Sequence, residues 1–164
     1  MEVGEVIMFK KNYYYYLAYG SNLNLSQMSY RCPNARPVGS ITLKDYRLVY
    51  KGEVDDYAYL TLEPFAGFSV PLGLFEVSLD DIHSLDKYEG YPEFYSKYYI
   101  PVKIGRKTVE ALVYIMNNNF DYHLPGIEYM QTCLNGYNDF GFDRKILDRA
   151  LIDTMDNIPK VRKK

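Results

Sequence analysis

YYYYLAYGSNLN, residues 13–24, decides how this chain is built. Its first seven residues are aromatic or apolar and suit a pleated, half-buried strand. Gly20 breaks that run, and Ser21, Asn22 and Asn24 bring turn and helix-capping chemistry. The stretch predicts a strand, a tight turn and a short helix. Asn22 or Asn24 is placed to cap that helix, which runs to about Tyr30 and is stopped by Pro33.

Outward from this junction, ITLKDYRLVYK (residues 41–51), AYLTLEP (58–64) and SVPLGLFEV (69–77) read as strands, with Pro71 marking an edge or a bulge. SLDDIHSLDKYEG (78–90) begins with a capping Ser and first-turn acids, spaces Ile82 and Leu85 three apart, and ends at a Gly. It predicts a short helix with Glu89 at its exit. FYSKYYIPVKI (94–104) and TVEALVYIM (108–116) form a hairpin around the charged turn near Arg106. The loop NNNFDYHLPG leads to two helical stretches, 127–137 and 143–156, separated by DFGFD. Strands with irregularly interposed helices give an α+β fold class, and no internal repeat is visible. One domain over residues 13–157 is expected, with an N-terminal extension over 1–12 and a basic tail over 158–164. Met8 is a second candidate start beside Met1.

Composition limits the partners. The chain has 164 residues and a formal charge of −2, from 19 Lys and Arg against 21 Asp and Glu. It therefore has no broad basic field for nucleic acid or an anionic membrane, and a small molecule or a protein is the expected partner. Cys32 and Cys133 are too far apart for metal-ligand spacing, and such sparse cysteine suits a reducing compartment, hence a cytoplasmic location. The first residues carry acids where a secretory signal would carry basic residues, and no apolar run approaches the roughly 20 residues of a membrane span, so neither export nor anchoring is expected. The composition leaves the oligomeric state open.

Two segments carry chemistry. At Tyr19, Gly20, Ser21 and Asn22 a strand meets a helix start, where unpaired N–H groups can hold a carboxylate or an oxyanion. Taken alone, the segment reads as an ordinary capped turn, since such turns are common. The second segment, LDKYEGYPEFY (85–95), sets Glu89 among Tyr88, Tyr91 and Tyr95. A carboxyl among apolar rings resists ionisation, so its pKa moves toward the range useful for proton transfer near neutrality. Taken alone, Glu89 reads as a surface residue at a frayed helix end. His83 and His123 lack a nucleophile motif or metal-ligand spacing, and the two cysteines read as small packing residues.

The two segments together, YGSNL at 19–23 and LDKYEGYPEFY at 85–95, with MSYRCPNA and ITLKDYRLVY between them, resemble the γ-glutamylcyclotransferase family. PGIEY (125–129) and GYNDFGF (136–142) extend the resemblance, which spans about residues 13–151. It implies a small mixed β-barrel of about five to six strands flanked by helices, with Glu89 as general acid/base. It also implies that the Tyr19–Asn22 turn, together with Leu23, holds a small-molecule γ-glutamyl substrate, with Tyr95 and Tyr129 lining the pocket. In the implied reaction the substrate's α-amine attacks its own γ-carbonyl, releasing 5-oxoproline and an amine. This needs no protein nucleophile, metal or organic cofactor. Two alternatives stay open: removal of a γ-glutamyl group from a larger or carrier-bound intermediate, and a binding module without turnover.

Overall fold

The computed structural model describes residues 13–160. The N-terminal extension, the choice between Met1 and Met8 and the last four residues of the basic tail lie outside the described residues. Within the described part the tail begins at a buried Ile158.

Among the described residues six strands form one mixed sheet in the order β4-β5-β1-β3-β2-β6. Its centre is β1 (Tyr14–Ala18), antiparallel to β3 (Ala58–Val77) and parallel to β5 (Lys107–Met116). Leu17 and Ala18 in β1 are fully enclosed because both flanks are covered. The α+β class and the six-stranded mixed sheet agree with expectation. The hydrogen-bonded order ends at β4 (Tyr95–Ile104) and β6 (Asp121–Tyr122), so the sheet stays open where a closed barrel was expected.

The largest departure from the sequence reading is the length of the β2–β3 arm. β2 (Arg36–Gly52) starts earlier than residue 41, and β3 joins the two strands expected at 58–64 and 69–77. The expected break survives as a bulge: Tyr46 pairs with Pro64 and Lys44 with Ser69, so residues 65–68 loop out opposite Asp45. Asp45 adopts φ 65° and accepts from the Gly67 N–H at 2.9 Å. Pro71 pairs with Thr42 of β2 but lies just beyond the reach of β1, whose pairing stops at Gly73. The missing N–H of Pro71 is therefore tolerated, as at an edge. The hairpin of β4 and β5 turns at Gly105 and Arg106, with Ile104 opposite Lys107, as expected. The short β6 was not foreseen.

Among the described residues four helices pack around the sheet: α1 (Leu25–Arg31), α2 (Leu79–Glu89), α3 (Ile127–Phe140) and α4 (Lys145–Asn157). Asn24 caps α1 by accepting from the Gln27 N–H at 3.1 Å, which leaves Asn22 for another task. Ser78 and Asp81 form a reciprocal capping box at the start of α2. α4 presents Leu147, Ala150 and Thr154 to β2, and the Thr154 hydroxyl accepts from the Tyr50 N–H at 2.8 Å. α3 makes the closest approach. A Cβ at Gly136 would lie 2.6 Å from the Asn24 nitrogen and 2.7 Å from Leu23, so only glycine lets this helix rest on the backbone after β1. None of the described helices is long and apolar enough to cross a membrane.

Candidate active site

β1 delivers its chain end at the middle of the sheet, where Gly20 leads into a single 3₁₀ turn, Ser21–Leu23. The first bond of that turn runs from the Leu23 N–H to the Gly20 carbonyl at 3.0 Å, so the Ser21 and Asn22 N–H groups lie ahead of it. Gly20 has φ −127° and ψ −129°, so no positive φ calls for glycine here. Space favours glycine: a Cβ would meet the Tyr129 hydroxyl at 3.1 Å, which would have to give by a few tenths of an ångström, and would sit 3.6 Å from Leu60.

Glu89 reaches the same place from α2. The spacing from Leu85, which is fully buried, turns Glu89 onto the inward face of the helix. Gly90 then adopts the left-handed conformation at φ 66°, and the Tyr91 N–H closes on the Asp86 carbonyl at 2.9 Å. The turn and the helix end meet around a cavity of about 390 Å³, lined by Tyr19, Gly20, Ser21, Asn22, Glu89, Tyr95 and Tyr129 among others. Tyr88 ties the two motifs together, its hydroxyl 2.8 Å from the Ser21 Oγ.

The phenols form the walls and are themselves anchored. The Tyr19 hydroxyl donates to the Tyr114 carbonyl at 2.6 Å, and the Tyr95 hydroxyl donates to the Leu60 carbonyl at 2.8 Å. Tyr129 accepts from the Leu60 N–H at 3.1 Å. Burial, before any other cause, pushes the Tyr16, Tyr19, Tyr95 and Tyr129 phenols well above the ordinary tyrosine range, so they stay neutral.

Glu89 differs in kind. Its residue surface is only partly closed, since it lines the cavity, yet protein surrounds the carboxyl over the distance on which a charge is solvated. Desolvation raises its pKa from 4.5 to about 8, against the opposing pull of the Arg31 guanidinium. Its place in the last turn of α2 acts in the same direction as burial, because the C-terminal pole of a helix disfavours a negative charge. The Asn22 Nδ2 approaches Glu89 Oε2 at 3.4 Å and donates to the Tyr16 hydroxyl at 2.9 Å. The site therefore places a carboxyl with a raised pKa in the same cavity as the Gly20–Asn22 turn, in contact with the Asn22 side-chain amide.

Of the residues singled out around the two motifs, Tyr19, Gly20, Ser21, Asn22, Tyr88, Glu89, Tyr95 and Tyr129 converge here. Leu23 does not. Its side chain is fully buried, wedged against Gly73 and Gly136, where it seats α3 and contributes no cavity wall. Leu23 follows the turn by position, but the 3₁₀ geometry points it at the core. Tyr91 also departs, packing its ring over the Lys97 ammonium at 4.6 Å. Tyr16, Tyr59, Leu60, Phe94 and Tyr114 line the cavity without having been singled out. Tyr114 arrives through the parallel pairing of β1 with β5, for which the sequence carries no local signal. Cys32 and Cys133 are free and buried, and burial raises both thiols to about 12. Among the described residues no three His, Cys, Asp or Glu side chains gather as a metal-binding group.

Comparison with known proteins bears on this geometry. The family model described as "Gamma-glutamyl cyclotransferase, AIG2-like" matches residues 16–131. A comparison with curated protein sequences finds no match. Among solved structures, an uncharacterised protein from Homo sapiens aligns at a TM-score of 0.73 and 20% identity, covering 92% of this chain and 90% of that one. A structure described as gamma-glutamyl cyclotransferase aligns at 0.71 and 20% identity, covering 90% and 89%. A yeast cyclotransferase described as specific to glutathione aligns at 0.57 and 10% identity, covering 88% and 98%. At these identities the structural likeness speaks for the fold.

Proposed function

Because the chain belongs to the gamma-glutamyl cyclotransferase, AIG2-like family, we propose that it releases 5-oxoproline from a γ-glutamyl amine, amino acid or dipeptide, with Glu89 as general acid and base. The observation that carries this reading is a single carboxyl, raised to about 8, facing the Gly20–Asn22 turn across a small-molecule-sized cavity.

The reaction asks little of the protein beyond positioning and one proton. The ionised Glu89 takes a proton from the substrate's α-ammonium, and the freed amine attacks the γ-carbonyl carbon. A C–N bond forms and closes a five-membered ring. The original amide C–N bond then breaks as Glu89 returns the proton to the departing nitrogen, and the re-ionised Glu89 takes the surplus proton from the ring nitrogen and passes it to the released amine, which leaves as its ammonium. A carboxyl that titrates near 8 accepts and releases that proton with little loss in either direction near neutral pH. The Ser21 and Asn22 N–H groups serve the α-carboxylate or the developing oxyanion, and the anchored phenols hold the γ-glutamyl chain in its cyclising conformation. Localisation follows as part of the proposal: a cytoplasmic enzyme of small-molecule metabolism.

Purified protein is incubated with a panel of γ-glutamyl amino acids, dipeptides and amines, and 5-oxoproline is measured. Release by the wild type and its loss in Glu89→Gln is the expected result. No 5-oxoproline from any member of the panel, while a γ-glutamyl compound still binds, overturns the enzymatic reading in favour of a binding module.

A further inference from the structure

We infer that Arg31 is a positioning residue, holding the side-chain amide of Asn22 in the orientation that turns its N–H₂ toward Glu89 and its carbonyl away. The inference rests on the reading of Glu89 as the proton carrier and deepens it.

The two ends of an asparagine amide are nearly equal in shape, so its orientation is set by its partners. Asn22 is 2% exposed, and its amide settles its bonds with protein groups. Of those partners, the Tyr16 hydroxyl is indifferent, since a phenol both donates and accepts. Glu89 is indifferent while protonated. Arg31 is not: a guanidinium has donors alone, and its Nη1 donates to the Asn22 Oδ1. A flipped Asn22 would set donor against donor at Arg31 and carbonyl against carboxylate at Glu89.

Arg31 is held firmly enough for that task. It is the last residue of α1; its guanidinium stacks 3.5 Å from the centre of the Tyr88 ring, and its Nη2 donates to the Gln27 Oε1 at 3.2 Å. Tyr88 is bonded in turn to Ser21. One side chain thus joins α1, the 3₁₀ turn and α2, the three elements whose relative placement makes the site, and it does so from outside the cavity lining. Other groups facing Glu89 are the phenols of Tyr16 from β1, Tyr19 just after it, Tyr95 from β4 and Tyr114 from β5, all kept neutral by burial. Arg31 is therefore the charged group that acts on the carboxyl, and it acts twice: through its own field and through the amide it orients.

The test reads Glu89 directly. The titration of its carboxyl is followed by carbon-13 NMR in the wild type, Arg31→Met and Arg31→Lys, with Glu89→Gln identifying the signal, and kcat and KM are measured alongside. In Arg31→Met the titration moves to higher pH by about one unit, and kcat falls about tenfold or more with a smaller change in KM. Lysine keeps a charge but not the planar stacked fork, so Arg31→Lys restores part of the titration while kcat stays well below wild type. An unmoved titration in Arg31→Met overturns the inference, as does Arg31→Lys matching the wild type in both kcat and titration. Thermal unfolding checks that the variants fold; if the methionine variant does not, wild-type kcat in Arg31→Lys alone overturns it. The titration needs no substrate, so a wild type that makes no 5-oxoproline refutes the proposed function and leaves this comparison standing.

Discussion

Replacing Glu89 by glutamine should stabilise the protein in alkali and leave it nearly unchanged in acid. The folded state holds its Glu89 proton up to about pH 8, whereas an unfolded chain releases it near 4.5. Between those values the folded state binds more protons, so stability falls as pH rises through the window and levels off above it. The full span from 4.5 to about 8 corresponds to about 5 kcal/mol at its limit. Water entering the cavity screens part of this, and about 2–4 kcal/mol is the working expectation. For a domain of this size that is on the order of 5–15 °C in Tm. Glutamine keeps the shape and carries no charge to desolvate. Tm is measured for both proteins at pH 5 and pH 9, and the quantity of interest is the difference between them, in which the histidines and other titrating groups common to both cancel. The expected difference is small at pH 5 and favours glutamine at pH 9. An equal difference at the two pH values would mean that Glu89 ionises in the fold as it does in water, and the argument from burial would be wrong.

The same group should govern the rate: kcat/KM for 5-oxoproline release is expected to rise with pH through an apparent value of about 8, and Glu89→Gln to lower kcat by about 100-fold or more with little effect on ligand affinity. At Gly20, alanine asks the Tyr129 hydroxyl to give way by a few tenths of an ångström, whereas valine drives methyl groups into the cavity. The catalytic efficiency of Gly20→Val should fall about 100-fold and that of Gly20→Ala much less; equal losses would dismiss the steric account. Ser78→Ala removes the capping box of α2 and should cost about 1 kcal/mol in denaturant unfolding while kcat is retained, because the cap lies at the opposite end of that helix from Glu89.

The local chemistry of the chain was legible where a residue decides its own backbone. Asn24, Ser78, Gly90 and the Gly105–Arg106 turn sit where their capping and turn preferences put them. The pairing of Gly20–Asn22 with Glu89 was legible through the family resemblance, since neither segment alone rises above a turn and a surface acid. What stayed hidden depends on partners distant in sequence. Pro64 and Gly67 look like the end of one strand and the start of another. Only the long ladder with β2, which absorbs residues 65–68 as a bulge, makes them one strand. Leu23 reads as the last member of the motif, but Gly73 and Gly136, some 50 and 113 positions further on, draw it into the core. Tyr16, Tyr114 and Arg31 were passed over for the same reason: a tyrosine in a tyrosine-rich strand and an arginine at a helix end carry no mark of function until the helices and strands converge on Asn22.

The central position of β1 also sets an order of events. Tyr14–Ala18 is the first described element to leave the ribosome, but its antiparallel neighbour is complete only at residue 77 and its parallel neighbour comes at residues 111–112. Gly136, which lets α3 brace the following turn, comes later still. A nascent chain that stops short of these residues carries the Tyr-Gly-Ser-Asn segment as a loose strand end with no pocket behind it. Long-range pairings of this kind are slow to form and leave a tyrosine-rich edge open to other chains in the meantime. The earliest-synthesised part of the site is thus among the last to be fixed in place, so crowded synthesis would threaten this fold first at β1.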